Sequence, residues 1–149
     1  MNFEDVIGQS LLKTQLKQGI DSGRVPHAQL YVGKRGVGGL PIAIAYASYL
    51  TKQQSDGLGD MNTLTHPNIH FVYPVTTSEN VKSKPISSNY INEWRAFLET
   101  NPYGSINDWY SFIGVGNKQG VIGVEEASDI TSKMSLKAFN GGYKVMIIW

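Results

Sequence analysis

Hydrophobic residues follow two spacings along this chain, and the two spacings predict helices alternating with strands. A helical spacing starts after Ser10, a candidate N-cap, and ends at Gly23. Its apolar stripe consists of Leu11, Leu12, Leu16 and Ile20. The apolar run at residues 28–32 predicts a first strand, followed by a glycine-rich turn and a helix beginning near Pro41. That helix is apolar almost all round, so we expect it to be buried.

The same two spacings continue in the second half of the chain. Residues 68–75 alternate as a half-buried strand does, with Ile69, Phe71 and Tyr73 set against His70 and Val72. Residues 125–139 predict a helix ended by Gly141 and Gly142, with core-facing Ile130, Met134 and Leu136. Residues 144–149, KVMIIW, predict a strand buried on both faces of a parallel sheet. This alternation implies an α/β fold with right-handed crossovers.

A long segment, residues 76–120, lies between the predicted second strand and the last helix. It contains a predicted helix at residues 89–100, stopped by Pro102, and a short one capped by Asn107. Its aromatic residues are Trp94, Phe97, Tyr103, Trp109, Tyr110 and Phe112. These rings could stack on bases, as in single-strand binders, or pack on one another. No row of basic residues accompanies them, so packing is the favoured interpretation.

Composition changes this picture little. The 149 residues are 41% hydrophobic with a net charge of +1, which fits one globular domain and gives no basic field for nucleic acid. No cysteine is present, which excludes disulfides and thiolate metal sites. Residues 51–67 lack any period and predict an exposed loop. No signal peptide or membrane-spanning run is found, so we expect a soluble cytoplasmic protein.

The glycine-rich turn is the candidate site. The phosphate-loop pattern G-x-x-x-x-G-K-[ST] fits Gly33 and Gly38, but Gly39 and Leu40 stand where the Lys and the Ser or Thr belong. The Lys would contact the β- and γ-phosphates and the hydroxyl would hold Mg²⁺. We therefore predict a degenerate loop that binds an anion or a nucleotide weakly. Its residues are Gly33, Lys34, Arg35, Gly36, Val37, Gly38, Gly39 and Leu40.

Other candidate chemistry is weaker. His66 and His70 could share one face of a helix as metal ligands, but Pro67 and the strand pattern favour a surface histidine pair. Glu125 and Glu126 are adjacent on a predicted helix, so their carboxylates diverge and instead complement its dipole. We predict no catalytic residues and no metal site.

Four segments together resemble bacterial clamp-loader AAA+ subunits of DNA polymerase III: residues 3–9, FEDVIGQ; 23–33, GRVPHAQLYVG; 66–74, HPNIHFVYP; and 123–149. The resemblance implies a P-loop NTPase-like, three-layer α/β core with a mainly parallel sheet. Residues 1–149 would be its N-terminal part, ending after the Walker B strand, with an insertion at about 76–120 and without lid and collar domains. It also implies that Val6 and Ile7 lie on the adenine side.

The missing Lys and Thr make the chain more similar to the delta-prime type than to the ATP-hydrolysing gamma/tau type. That resemblance implies a non-catalytic subunit of the polymerase (nucleotidyltransferase) complex, which helps load the sliding clamp onto primed DNA with gamma/tau and delta. The arginine finger of that type lies beyond residue 149. The alternatives are a gamma/tau-like ATPase that uses Lys34 or Arg35, and an interaction module that presents the aromatic segment.

The resemblance carries two further expectations. The family commonly has a four-cysteine zinc module before the second strand, whereas residues 51–65 contain no cysteine, so we predict no zinc and weak or no ATP binding. Its strand order, 5-1-4-3-2, would place a strand absent from these residues beside residues 28–32 and 144–149. We therefore expect rearranged pairing within the chain or strand pairing between chains.

Overall fold

The computed structural model describes residues 1–53 and 62–149, and the chain forms two compact units. The first unit contains Met1–Ile69 and Ala138–Val145, and the second contains His70–Lys137 and Met146–Trp149. The part of the predicted loop at residues 54–61 lies outside the described residues. Among the described residues, no helix is both long and apolar enough to span a bilayer.

Two α-helices occur in the described part of the first unit. Helix α1 is Ser10–Asp21 and helix α2 is Gly39–Lys52, with 3₁₀ turns at Phe3–Asp5 and Thr63–Thr65. Gln9, in a left-handed conformation, is the N-cap of α1, so the predicted cap at Ser10 is wrong by one residue. One buried hydrophobic cluster of this unit consists of Phe3, Val6, Ile20, Ile42, Ala45, Tyr46 and Leu50. The buried character predicted for α2 is confirmed.

Two expectations for the first unit are wrong. Leu11 is exposed, because the core contacts of α1 are made by Leu12, Leu16 and Ile20. Residues 28–32 form no strand, since their main chain pairs with no other segment of the described chain. Apolar character was therefore sufficient to suggest a strand here but could not supply a neighbour for it.

Three helices and a dense aromatic core build the second unit. The helices are α3, Ile91–Thr100; α4, Ile106–Phe112; and α5, Val124–Ser135. Ser105, and not Asn107, caps α4: its Oγ accepts the Asp108 N–H, and its own N–H donates to Asp108 Oδ2 at 2.7 Å. This reciprocal pair is a capping box, which a serine three residues before an acidic residue can form.

Aromatic rings of the second unit pack on one another. Trp94 lies flat against Tyr73 with ring centroids 4.0 Å apart, and its edge contact with Trp109 is at 5.2 Å. The Phe97 ring contacts the rings of Trp94, Trp109 and Phe112. All four belong to the aromatic set whose mutual packing the sequence predicted. Trp94 and Trp109 are 0% exposed, so these two rings cannot serve as a base-stacking surface in this conformation. The packing interpretation is confirmed for them.

Helix α5 differs from its predicted form. It ends at Ser135, several residues before the predicted end, and Met134 and Leu136 are exposed. Glu126 is instead the fully buried residue of this helix. The apolar spacing therefore predicted the wrong buried face for α5.

Residues that the structure describes form a sheet of two strands, β1 (Ile69–Val72) and β2 (Val145–Ile148). The Val145 N–H donates to the Asn68 carbonyl and the Trp149 N–H to the Val72 carbonyl, both at 2.8 Å. Equal advance along both segments makes the strands parallel. The α/β class is thereby confirmed.

Burial of the two strands departs from the predictions. Val72 is buried, so β1 is more buried than simple alternation predicts. In β2, Ile147 is buried, but Ile148 is exposed. The prediction that this strand is buried on both faces is wrong, because nothing among the described residues covers Ile148.

Candidate functional site

The glycine-rich turn, residues 33–40, leads directly into helix α2 of the first unit. Gly36 and Gly38 have φ angles of +80° and +90°, in the left-handed region that glycine adopts without steric cost. Gly38 is the N-cap of α2, and its carbonyl accepts the Ile42 N–H at 3.0 Å. The two glycines therefore reverse the chain and start the helix with its N–H groups at the turn.

Side chains and main chain hold this turn closed. The Val37 N–H donates to the Lys34 carbonyl at 3.3 Å, and a Cβ added at Gly33 would lie 2.6 Å from Val37 Cγ2. The Val37 carbonyl accepts from Gln9 Nε2 at 3.2 Å. The turn is thus fastened to the residue that precedes α1, and a side chain at position 33 would force Val37 to move.

The two positions that distinguish a phosphate loop have different surroundings. A Cβ added at Gly39 would meet nothing within 4 Å, so this position has room for a side chain but carries none. Leu40 is 8% exposed and turns into the protein. A helix N-terminus offers N–H donors and a positive dipole end to an anion. Neither Gly39 nor Leu40 adds an ammonium or a hydroxyl group to these N–H donors.

The two basic residues of the turn are exposed. Lys34 and Arg35 make no ion pair among the described residues. They lie before Gly36 and Gly38, and their side chains are open to solvent. The turn can attract an anion electrostatically but does not enclose one.

Val6 and Ile7, the two residues predicted on the adenine side, differ in their exposure to solvent. Val6 belongs to the core of the first unit, and its carbonyl accepts from Lys13 Nζ at 2.8 Å. Ile7 is 78% exposed. Only Ile7 of this pair offers an apolar surface to a ligand.

The two residues of the histidine pair, and the two of the glutamate pair, also differ in burial. His66 is buried, which contradicts a surface pair; burial lowers its pKa, and its Nδ1 accepts the Asn68 N–H at 3.1 Å. Glu125 is exposed, and it pairs with Lys84 at 3.7 Å. Within the described parts of the chain, no group of three or more His, Cys, Asp or Glu side chains could hold a metal ion.

The sequence analysis missed a buried polar network in the second unit. The Ser87 N–H donates to Glu126 Oε2 at 2.6 Å, Tyr73 Oη donates to the Ser87 carbonyl at 2.7 Å, and Ser87 Oγ accepts the Tyr73 N–H at 3.0 Å. Burial raises the pKa of Tyr73, so its hydroxyl remains a donor. No motif marks these three residues, because their contacts depend on long-range packing.

A family model described as DNA polymerase III, delta subunit, matches residues 8–149, which include both helices of the first unit, the turn and both strands. The chain belongs to this family. Membership makes it a clamp-loader-related subunit of DNA polymerase III with a role in replication, as the resemblance implied. No curated protein and no solved structure matches the chain.

Proposed function

We propose that this clamp-loader family member is a subunit of the delta-prime type, which does not hydrolyse ATP and helps load the sliding clamp onto primed DNA. One observation supports the proposal above all. Gly39 has no side chain, and the side chain of Leu40 is buried, at the two positions where an ATP-hydrolysing loop needs a Lys and a hydroxyl. Without them, Mg²⁺ and the γ-phosphate lose their main protein contacts.

The proposal includes the finer architecture. Residues 1–149 are the N-terminal part of an AAA+ domain with a three-layer core, and residues 76–120 are an insertion within it. Gamma/tau and delta subunits, the clamp and primed DNA are the partners, reached through the complex. Neither zinc nor a tightly bound ATP is required.

A gamma/tau-like ATPase is the second candidate. The exposure of Lys34 and Arg35 favours it, because neither residue is engaged in an ion pair and either could approach a phosphate. Both precede Gly36, however, whereas the catalytic Lys of a phosphate loop follows the last glycine. The third candidate, an interaction module that presents Trp94 and Trp109, is disfavoured by their complete burial.

Isothermal titration with ATP and Mg²⁺ separates the first two candidates. We expect a Kd in the millimolar range or no heat for the natural chain, which corresponds to no more than about 4 kcal/mol of binding free energy. A micromolar Kd that Lys34→Ala with Arg35→Ala weakens at least tenfold would contradict the proposal and support the ATPase.

A gain-of-binding variant provides the matched control. Gly39→Lys with Leu40→Thr restores the two missing groups, and the Lys fits because Gly39 faces open space. We expect this variant to bind ATP at least tenfold more tightly than the natural chain, with Gly39→Lys alone intermediate. In a clamp-loading assay with the complete complex, Lys34→Ala with Arg35→Ala should leave loading unchanged.

A further inference from the structure

Asn140 is followed by Gly141, and this is the only Asn-Gly dipeptide in the sequence. Both residues are exposed, and their φ angles are +53° and +79°. Asparagine and glycine adopt this left-handed conformation more readily than other residues do, which explains their place in the turn. The turn therefore presents to water a dipeptide in which the side-chain amide and the next main-chain nitrogen are neighbours.

The structure places few restraints on these two groups. The side-chain amide of Asn140 makes no hydrogen bond to another described residue. The Gly141 N–H donates to the Ala138 carbonyl at 3.3 Å, which is long for an N–H···O bond. A Cβ added at Gly141 would meet nothing within 4 Å, so no neighbouring group shields its nitrogen. The nitrogen is therefore open to reaction with the Asn140 side chain.

The buried residue Asn68 fastens the main chain on both sides of this turn. The Phe139 N–H donates to Asn68 Oδ1 at 2.6 Å, and Asn68 Nδ2 donates to the Phe139 carbonyl at 2.9 Å. The Val145 N–H donates to the Asn68 carbonyl at 2.8 Å. Residues 140–144 therefore join two points that are held by one residue, and a longer main chain between them would disturb these bonds.

We propose that Asn140 is a site of spontaneous deamidation, and that its isoaspartate product loosens the loop that Asn68 closes. The Gly141 nitrogen loses its proton and attacks Asn140 Cγ, and the side-chain nitrogen leaves as ammonia. Water then opens the resulting succinimide ring. Attack at Cγ gives aspartate, and attack at the main-chain carbonyl carbon gives isoaspartate. The reaction consumes water and releases ammonia, with no oxidation or reduction.

The two products differ in the length of the main chain. Aspartate keeps the original main chain and also tolerates the left-handed conformation, so the turn persists. Isoaspartate carries the main chain through Cβ and Cγ and adds a methylene between Phe139 and Gly141. The bonds from Phe139 and Val145 to Asn68 then no longer fit the loop between them. The reaction involves no residue of the glycine-rich turn, so the ATP titration does not bear on it.

Peptide mapping by mass spectrometry, with fragmentation that distinguishes isoaspartate from aspartate, tests the proposal on the full folded chain. We expect conversion at Asn140, with release of ammonia and a rate that rises as the buffer is made more alkaline, because the attacking nitrogen must be deprotonated. Asn117 is the internal control, since it is also exposed but precedes Lys118. It should convert at least tenfold more slowly, because the Lys118 side chain hinders the approach of its nitrogen.

Two glycine variants locate the reaction. Gly141→Ala should slow conversion at Asn140 at least tenfold, because a side chain now shields the attacking nitrogen. Gly142→Ala is the matched control, since Gly142 also has a positive φ, +77°, but lies outside the dipeptide. Both variants strain the same turn. Only Gly141→Ala changes the residue that reacts, so Gly142→Ala should convert at the rate of the natural chain.

Hydrogen exchange measures the effect on the loop. In the purified isoaspartate form, the amides of Phe139 and Val145 should exchange at least tenfold faster than in the natural chain, because both donate to Asn68. Asn140→Asp is the control, since it supplies the new carboxylate without the added methylene. Its amides should exchange at the rate of the natural chain.

Two results would overturn the assignment of Asn140. One is an unmodified Asn140 in the folded chain after an incubation that fully converts the chain in urea. The other is equal conversion in Gly141→Ala and Gly142→Ala. Unchanged exchange of the Phe139 and Val145 amides in the isoaspartate form would overturn the loosening of the loop, and faster exchange in Asn140→Asp as well would assign it to charge rather than to main-chain length.

Discussion

Two buried tryptophans of the second unit offer a matched test of what the aromatic cluster contributes. Trp94 and Trp109 are both fully buried and contact each other edge to face. Trp109 Nε1 donates to the Pro74 carbonyl at 2.9 Å, whereas Trp94 Nε1 has no hydrogen-bond partner among the described residues. Replacing either tryptophan by phenylalanine removes a similar side-chain volume. Only Trp109→Phe also removes a hydrogen bond.

The magnitudes follow from these contacts. Each Trp→Phe change removes part of a buried ring, and we expect about 1 to 2 kcal/mol from lost packing, below the ~3–5 kcal/mol of Trp→Ala. Trp109→Phe also leaves the Pro74 carbonyl without its donor, which costs about 1–3 kcal/mol more. Trp94→Phe loses no hydrogen bond and removes an N–H that was buried without a partner. Trp109→Phe should therefore be the more destabilising change, by at least about 1 kcal/mol.

Urea unfolding followed by far-UV circular dichroism measures the difference, because tryptophan fluorescence would change with the substitutions themselves. The m-value must stay constant for the midpoints to report stability alone. Trp94→Ala and Trp109→Ala should both lower stability strongly, because both rings are core residues. Equal midpoints for the two phenylalanine variants would refute the role assigned to the Trp109 hydrogen bond.

Three further changes test local features. Gly38→Ala should cost about 1–2 kcal/mol in urea unfolding because its φ is +90°, whereas Gly39→Ala should be neutral or slightly stabilising; equal effects would contradict the left-handed cap. Ser105→Ala should cost about 1 kcal/mol by loss of the α4 cap, and Asn107→Ala much less. Burial lowers the pKa of His66, so protonation favours unfolding, and stability should fall as the pH drops below about 6.5. In thermal unfolding at several pH values, His66→Asn should lose less stability at low pH than the natural chain does. An unchanged pH dependence would contradict the role assigned to His66.

Local patterns predicted the elements whose stabilising contacts are close in sequence. Helices α1, α2 and α3 follow from apolar spacing, and the glycines of the turn follow from their need for positive φ. The candidate site was also found from sequence, because a phosphate-loop pattern and the two residues that interrupt it are contiguous. The aromatic packing was predicted for the same reason, since Trp94, Phe97, Trp109 and Phe112 lie within one short segment.

The errors occur where a distant neighbour decides the outcome. Residues 28–32 have strand-like composition, but a strand requires a partner, and the described chain supplies none. The start of α4 is an error of another kind: the deciding capping box joins Ser105 to Asp108, only three residues away, and was a local signal that the choice of Asn107 overlooked. Glu126 reads as a solvated residue of a first helical turn, yet the Ser87 N–H, remote in sequence, holds its carboxylate inside the protein.

The sequence by itself determined the class of this protein: the family, the helices, and a glycine turn with Gly39 and Leu40 in place of a Lys and a Ser or Thr. These features depend on residue identity and short spacing. Tertiary structure alone decided which faces are covered. It buried Leu40, His66 and Glu126 and left Leu30 and Val32 in water. The physical reason is that burial and strand pairing are properties of two segments together, and the free energy of neither can be read from one segment alone.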